Sequence, residues 1–228
     1  MKSWKEKNRE YFDFFDKIVC ICGENEKSRW KSCKITFDNL GIADRVERFS
    51  DFATEEQKMQ YNMDGCTYSH YQVIKNAQKY NCKNVLIFES DVHFINYEFH
   101  LLEKSIKKLM TLDWKLFYLG GNPTRIFHVE SENLIKASAK LAHAYVVNGK
   151  YFSEILNKIE KTNRIVDQVY RRCGYGIGNY SYISYPLFVI QQDSGHERAI
   201  SRRMGKKWSQ CIKPMMDDYI KNVKEANE

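Results

Sequence analysis

The feature that most constrains this chain is the stretch Asn84 to Glu89 (NVLIFE), an unbroken apolar run ending in acid and set between two segments of helical spacing. Alternating apolar and polar residues would suit a strand with one wet face. A continuous run instead predicts a strand covered on both faces, as in parallel sheets. Apolar residues at helical spacing precede it (Tyr71, Ile74, Ala77, with Val73 and Tyr80 alongside and Asn81 as the stop) and follow it (Phe99, Leu102, Ile106, Leu109).

The pattern repeats along the chain. Lys17 to Cys22 reads as a buried strand bounded by Gly23; Trp30, Cys33, Phe37 and Leu40 follow as a helix stopped by Gly41; Val46 to Phe49 is a second strand. Gly65 opens the helix before Asn84. Leu116 to Leu119 is predicted as a strand stopped by Gly120-Gly121-Asn122-Pro123, and Ala144 to Val147 as a short strand before a helix over 150–161. Asp167 to Arg172 is a helical turn, and Ile183 to Ile190 a last strand interrupted by Pro186, hence an edge or bulge. Strands alternating with helices imply an α/β fold with a mostly parallel central sheet flanked by helices. At 228 residues and 43% hydrophobic content the chain suits one globular domain over 1–228, with a core of about 17–201 and a basic tail over 202–228.

Met1 to Glu10 is charged, with no signal-peptide pattern, and no run nears the roughly 18 apolar residues that span a bilayer. The expectation is a soluble, cytoplasmic protein. Cys20 and Cys22, two apart on a strand, share a face and read as reduced core thiols rather than a redox or zinc pair. The net charge of +7 gathers in part at the ends (Lys2, Lys5, Lys7, Arg9; Arg202, Arg203, Lys206, Lys207). Basic residues do not interleave with aromatics as in nucleic-acid binders and no known motif is present, so no nucleic-acid partner is expected. The basic surface suits phosphate-bearing ligands or peripheral contact with a membrane.

Ligands of parallel sheets bind outside the carboxyl ends of the strands. Glu89-Ser90-Asp91 lies there. Residues two apart in extended chain point the same way, so Glu89 and Asp91 could hold Mn²⁺ or Mg²⁺ through oxygen, and the metal would neutralise a leaving diphosphate. The plainer reading is a polar turn after a strand.

Gly65-Cys66-Thr67-Tyr68-Ser69-His70, a helix, and then Val85 to Val92 resemble the signature region of glycosyltransferase family 25. That family's pattern is a glycine-cysteine pair, a serine-histidine pair, a helix, and an apolar strand ending in Glu-Asp-Asp. Ile18 to Arg29 is similar to its opening strand and donor loop, Trp114 to Gly120 to its middle strand, His143 to Val147 to its histidine-alanine-tyrosine segment, Val166-Asp167-Gln168 to its isoleucine-aspartate stretch, and Tyr185 to Gln192 with Ser201 to its close. Ser90 replaces the middle acid, and the opening loop carries fewer arginines than the family shows.

The resemblance implies a GT-A-like domain and an inverting, metal-dependent transfer of galactose or glucose from a UDP-sugar to a hydroxyl of a glycan or glycoprotein acceptor. It implies Asp167 as the base, Cys22, Arg29, Ser69, His70, Glu89, Ser90 and Asp91 around the donor, Glu89, Asp91 and His196 at the metal, and His143, Tyr145 and Gln191 toward the acceptor. Blander roles stand beside these: Ser69 and Asp167 as helix caps, and His70 and His143 as satisfied core histidines. Gly174, Gly176 and Gly178 read as a flexible loop, since no dinucleotide-type helix follows. A phosphoryl or nucleotidyl transferase would need a glycine-rich phosphate loop beside a lysine, which the sequence lacks. A non-catalytic binding member is the other alternative, favoured by Ser90.

Overall fold

The computed structural model describes residues 3–50, 54–162, 164–171 and 180–191, with Pro214, Asp217, Asp218, Lys221 and Glu225 of the tail. A six-stranded sheet forms from β1 (Lys17–Ile21), β2 (Val46–Phe49), β3 (Asn84–Glu89), β5 (Leu116–Ser131), β6 (Leu134–Asn148) and β7 (Ser181–Ser184), in the order β2-β1-β3-β6-β5-β7. β1 runs parallel to β2 and β3, and β5 parallel to β7; β6 is antiparallel to β3, β5 and β7. Five strands therefore share one direction, and the α/β fold with a mostly parallel sheet is the one the alternation predicts. β4 (Val92–Phe94) and β8 (Val189–Gln191) pair antiparallel as a small second sheet.

The period of two along each strand divides the core. On β1 and β3, Val19, Ile21, Val85 and Ile87 face one apolar cluster; Ile18, Cys20, Leu86 and Phe88 face the other. Helices α4 (Gly65–Lys79), α6 (Phe152–Glu160) and α7 (Val166–Arg171) cover the first face through Tyr71, Ile74, Phe152, Ile155 and Val169. Helices α2 (Lys27–Leu40) and α5 (Phe99–Leu109) cover the second through Cys33, Phe37, Leu40, Leu102 and Ile106. Cys20 and Cys22 share this second cluster, and Cys20, Cys22, Cys33, Cys66 and Cys82 are all free. Gly41 closes α2 at φ 76°, and a Cβ there would meet the Lys5 carbonyl oxygen at 2.6 Å.

Three expectations change. Gly120-Gly121-Asn122-Pro123 does not stop a strand: β5 runs on to Ser131 and β6 starts at Leu134, with register shifts on both sides of Gly120 and again after Pro123. Bulges absorb the turn-forming residues, because sheet pairing outweighs local turn preference. The last strand splits into β7 and β8 around a cis Tyr185–Pro186 bond, since Pro186 has no N–H to donate to a ladder. Two helices without apolar stripes, α1 (Trp4–Tyr11) and α3 (Glu55–Tyr61), form on capping boxes, Ser3 with Glu6 and Thr54 with Gln57.

Candidate donor site at the carboxyl end of β3

Local capping sets the site's first wall. The Asp64 carboxylate accepts from the backbone N–H of Thr67 at 2.9 Å and starts α4, so Asp64 and not Ser69 is the cap. Ser69 Oγ instead donates back to the Gly65 carbonyl at 2.9 Å. Cys66 and His70, four apart on α4, lie on one face, and that face meets the last residue of β3. His70 Nε2 is 3.0 Å from Glu89 Oε1, and Cys66 Sγ lies 4.0 Å from the same oxygen. Behind His70, its Nδ1 sits 2.8 Å from the Tyr145 hydroxyl, which is 3.2 Å from that of Tyr170. Burial opposes charge on the His70 ring, but Cys66 and Glu89 outweigh it and push its pKa up to about 10. Burial likewise opposes ionisation of Glu89, and His70 overcomes it, holding Glu89 below the usual range.

Asp91, just past β3, turns elsewhere. Its Oδ2 accepts from Gln191 Nε2 on β8 at 2.8 Å, while its buried Oδ1 has no hydrogen-bond partner. Burial pushes Asp91 up to about 6, with the Glu89 charge adding and the Gln191 hydrogen bond opposing. The two carboxylates thus meet different neighbours. A buried carboxylate oxygen without a donor fits a site that receives a cation.

Ser90 joins the triplet to the opening loop. Its hydroxyl donates to Glu26 Oε2 at 3.2 Å; the same oxygen accepts from the Gly23 N–H at 2.9 Å, and Arg29 donates to Glu26 Oε1 at 2.9 Å. Arg48 donates to the Cys22 carbonyl at 3.0 Å and to that of Gly23, with its guanidinium 5.2 Å from the Trp30 ring centroid. The Cys22 side chain is buried, and its thiol points to the Gly23 carbonyl at 3.9 Å and the Glu26 carbonyl at 3.8 Å, so this residue meets the loop through both backbone and thiol.

The other wall is β6 with α7. Leu141, at φ 67°, and Ala142 both donate their backbone N–H groups to the Asp167 carboxylate at 2.9 Å. Asp167 therefore clamps a bend in β6 rather than capping its own helix. Burial raises its pKa, the two N–H groups oppose this, and the Glu89 charge adds to the rise. His143 is 2% exposed, and burial lowers its pKa, with the Glu89 charge and the backbone of Val189 and Leu141 opposing the shift. Tyr145, expected toward the acceptor, is wholly buried behind His70 and offers no exposed surface for an acceptor to touch. His196, Ser201 and the glycines at 174, 176 and 178 lie outside the described residues.

Sequence reasoning passed over Glu26, Arg48 and Cys66 as site residues. The four-residue spacing of Cys66 and His70 on a helix was the available signal for Cys66; the contacts of Glu26 and Arg48 had none.

The family model for glycosyltransferase family 25 (LPS biosynthesis protein) matches residues 1–181. The chain belongs to glycosyltransferase family 25. Its members bind a sugar donor and an acceptor. No curated protein matches the chain. Among solved structures it is similar to A197 from STIV (10% identity, TM-score 0.43, covering 78% of this chain and 95% of that one) and to mannose-1-phosphate geranyltransferase from Thermus thermophilus (11% identity, TM-score 0.41, covering 82% and 78%). These likenesses are too distant to inform the site. Among the described residues, no helix is long and apolar enough to cross a membrane.

Proposed function

We propose that this family member moves galactose or glucose from a UDP-sugar to a hydroxyl of a glycan or glycoprotein, inverting the anomeric centre with the help of Mn²⁺ or Mg²⁺. The observation that carries the reading is the coupling of the family's opening loop to its acidic strand end: Glu26 holds Ser90, beside the partnerless oxygen of Asp91.

In this reading Asp91 offers its free oxygen to the cation, with Glu89 the second carboxylate of the site. The bound metal would neutralise charge on the departing diphosphate. Arg29, Ser90 and the backbone of Cys22 and Gly23 line the donor side, with His70 fixing Glu89. Gln191 orients Asp91. Asp167, aimed by two backbone N–H groups, takes the proton of the acceptor hydroxyl, and His143, neutral and buried, stands near the acceptor side. The five free thiols among the described residues suit a reducing cytoplasmic compartment, and the basic segments at both ends suit work at a membrane surface.

The test is UDP release from a panel of UDP-sugars, with Mn²⁺ and with chelator, by wild type and Asp91→Asn. Metal-dependent release lost in the variant supports the transfer. The second reading, a binding-only member, is favoured by Ser90 standing where the family has an acid; it predicts metal-dependent UDP binding without release for any donor and acceptor mixture. No binding of any UDP-sugar overturns both.

A further inference from the structure

We propose that Cys66, His70 and Glu89 form a binding site for a thiophilic divalent cation of the zinc class, distinct in ligand chemistry from the hard metal of sugar transfer although it shares Glu89 with it. One atom from each residue lies within 4.8 Å of the others. Tetrahedral zinc, with bonds of about 2.0–2.3 Å, sets its ligand atoms about 3.3–3.8 Å apart, so the His70–Glu89 pair at 3.0 Å needs to open slightly and the Cys66–Glu89 pair at 4.0 Å to close slightly. Among the described residues this is the one cluster of three or more such groups.

The ligand types select the metal. Thiolate and imidazole beside one carboxylate suit Zn²⁺ or Co²⁺, whereas Mn²⁺ and Mg²⁺ prefer oxygen throughout. Asp91, the oxygen ligand expected at this strand end, faces Gln191 and is not in the cluster. The support is that of a built metal site. Two ligands come from one face of α4, whose first turn Asp64 caps, and the third from the end of β3. The Tyr145 hydroxyl lies 2.8 Å from His70 Nδ1 and 3.2 Å from the Tyr170 hydroxyl; with Nδ1–H donating to Tyr145, Nε2 is left as the ligating nitrogen. His70 is buried and Cys66 exposed, so a cation has an entry path and a fourth position open to water or a ligand. Binding displaces the proton that His70 carries on Nε2 in the metal-free protein and releases it to solvent.

The inference does not rest on sugar transfer, and its test contains no sugar. Tag-free full-length protein, stripped with chelator, is titrated with Co²⁺. The expected result is a thiolate-to-cobalt charge-transfer band saturating at one equivalent and abolished by one equivalent of Zn²⁺. Cys66→Ser should lose the band. Tyr145→Phe should keep it while weakening zinc about 10- to 100-fold, as loss of an outer-shell partner does; Cys66→Ser should weaken zinc at least as much. A wild type that shows no band with Co²⁺, or a Cys66→Ser that binds Zn²⁺ as tightly as wild type, overturns the site. The wild-type titration decides the matter even where a variant folds poorly.

Discussion

The Ser90 hydroxyl reaches across 64 residues of chain to donate to Glu26 at 3.2 Å. This bond ties the loop after β1 to the turn after β3, and it exists because β1 and β3 are parallel neighbours whose carboxyl ends lie side by side. The middle position of the triplet is therefore a strut here.

Restoring the family's acid should damage this protein. Ser90→Asp would set a carboxylate against Glu26 with no hydroxyl to donate, and the Gly23 N–H and Arg29 would have to satisfy both. Loss of one such hydrogen bond costs about 1 kcal/mol, or about 2–4 °C in melting temperature for a chain of this size. Melting curves with and without UDP check it. A variant that melts at or above the wild-type temperature would show that Ser90 is no strut.

Gly120→Ala should be among the most costly small substitutions. A Cβ there would meet the Val189 carbonyl oxygen at 2.1 Å and His143 Nε2 at 2.8 Å. Backbone cannot yield as a side chain does, so β8 must move, and with it Gln191, the partner of Asp91. Overpacking of this kind costs about 1–3 kcal/mol or more. Chemical denaturation should show that loss, and metal-dependent UDP binding should weaken in parallel. Retained stability would mean that β8 is displaced freely.

The same glycine shows where sequence reasoning held and where it did not. NVLIFE and the apolar stripes around it carried their own evidence, because burial on both faces writes itself into composition. Gly120-Gly121-Asn122-Pro123 carried the local signature of a turn, yet pairing with β6 overrode it. The acids at the end of β3 were visible because strand direction places them at the sheet's ligand edge. Glu26 and Arg48 were not, since their contacts arise only when β1, β2 and β3 align. For α1 and α3, the Ser3–Glu6 and Thr54–Gln57 spacings were present in the sequence, but no apolar stripe drew the eye to them.

Lys115 anchors the far end of the fold. It is 8% exposed, bonds both Glu154 oxygens at 2.8 and 2.7 Å, and lies 4.2 Å from the Tyr180 ring centroid and 4.8 Å from that of Tyr151. Burial raises the Glu154 pKa, but Lys115 and Lys158 outweigh it and hold the group below its ordinary value. A folded pKa below the unfolded one contributes stability above the unfolded value of about 4.3, lost as pH falls through the folded value. Lys115→Met should flatten this acid dependence of the melting temperature. An unchanged slope would remove Lys115 as its source.

Asp167 has the opposite sign. Its carboxyl is raised by burial despite two backbone donors, so the ionised form that accepts a proton is lost earlier on acidification than for an ordinary aspartate near pH ~3.9. If it is the base, the acid limb of kcat for sugar transfer should fall above that value. Asp167→Asn would place amide hydrogens toward Leu141 or Ala142 and destabilise β6 by about 1–3 kcal/mol, so lost activity alone cannot separate base from clamp. The pH profile can. Residual transfer by Asp167→Asn that still shows the wild-type acid limb would assign the limb to another group and leave Asp167 as the clamp that holds the bend at Leu141.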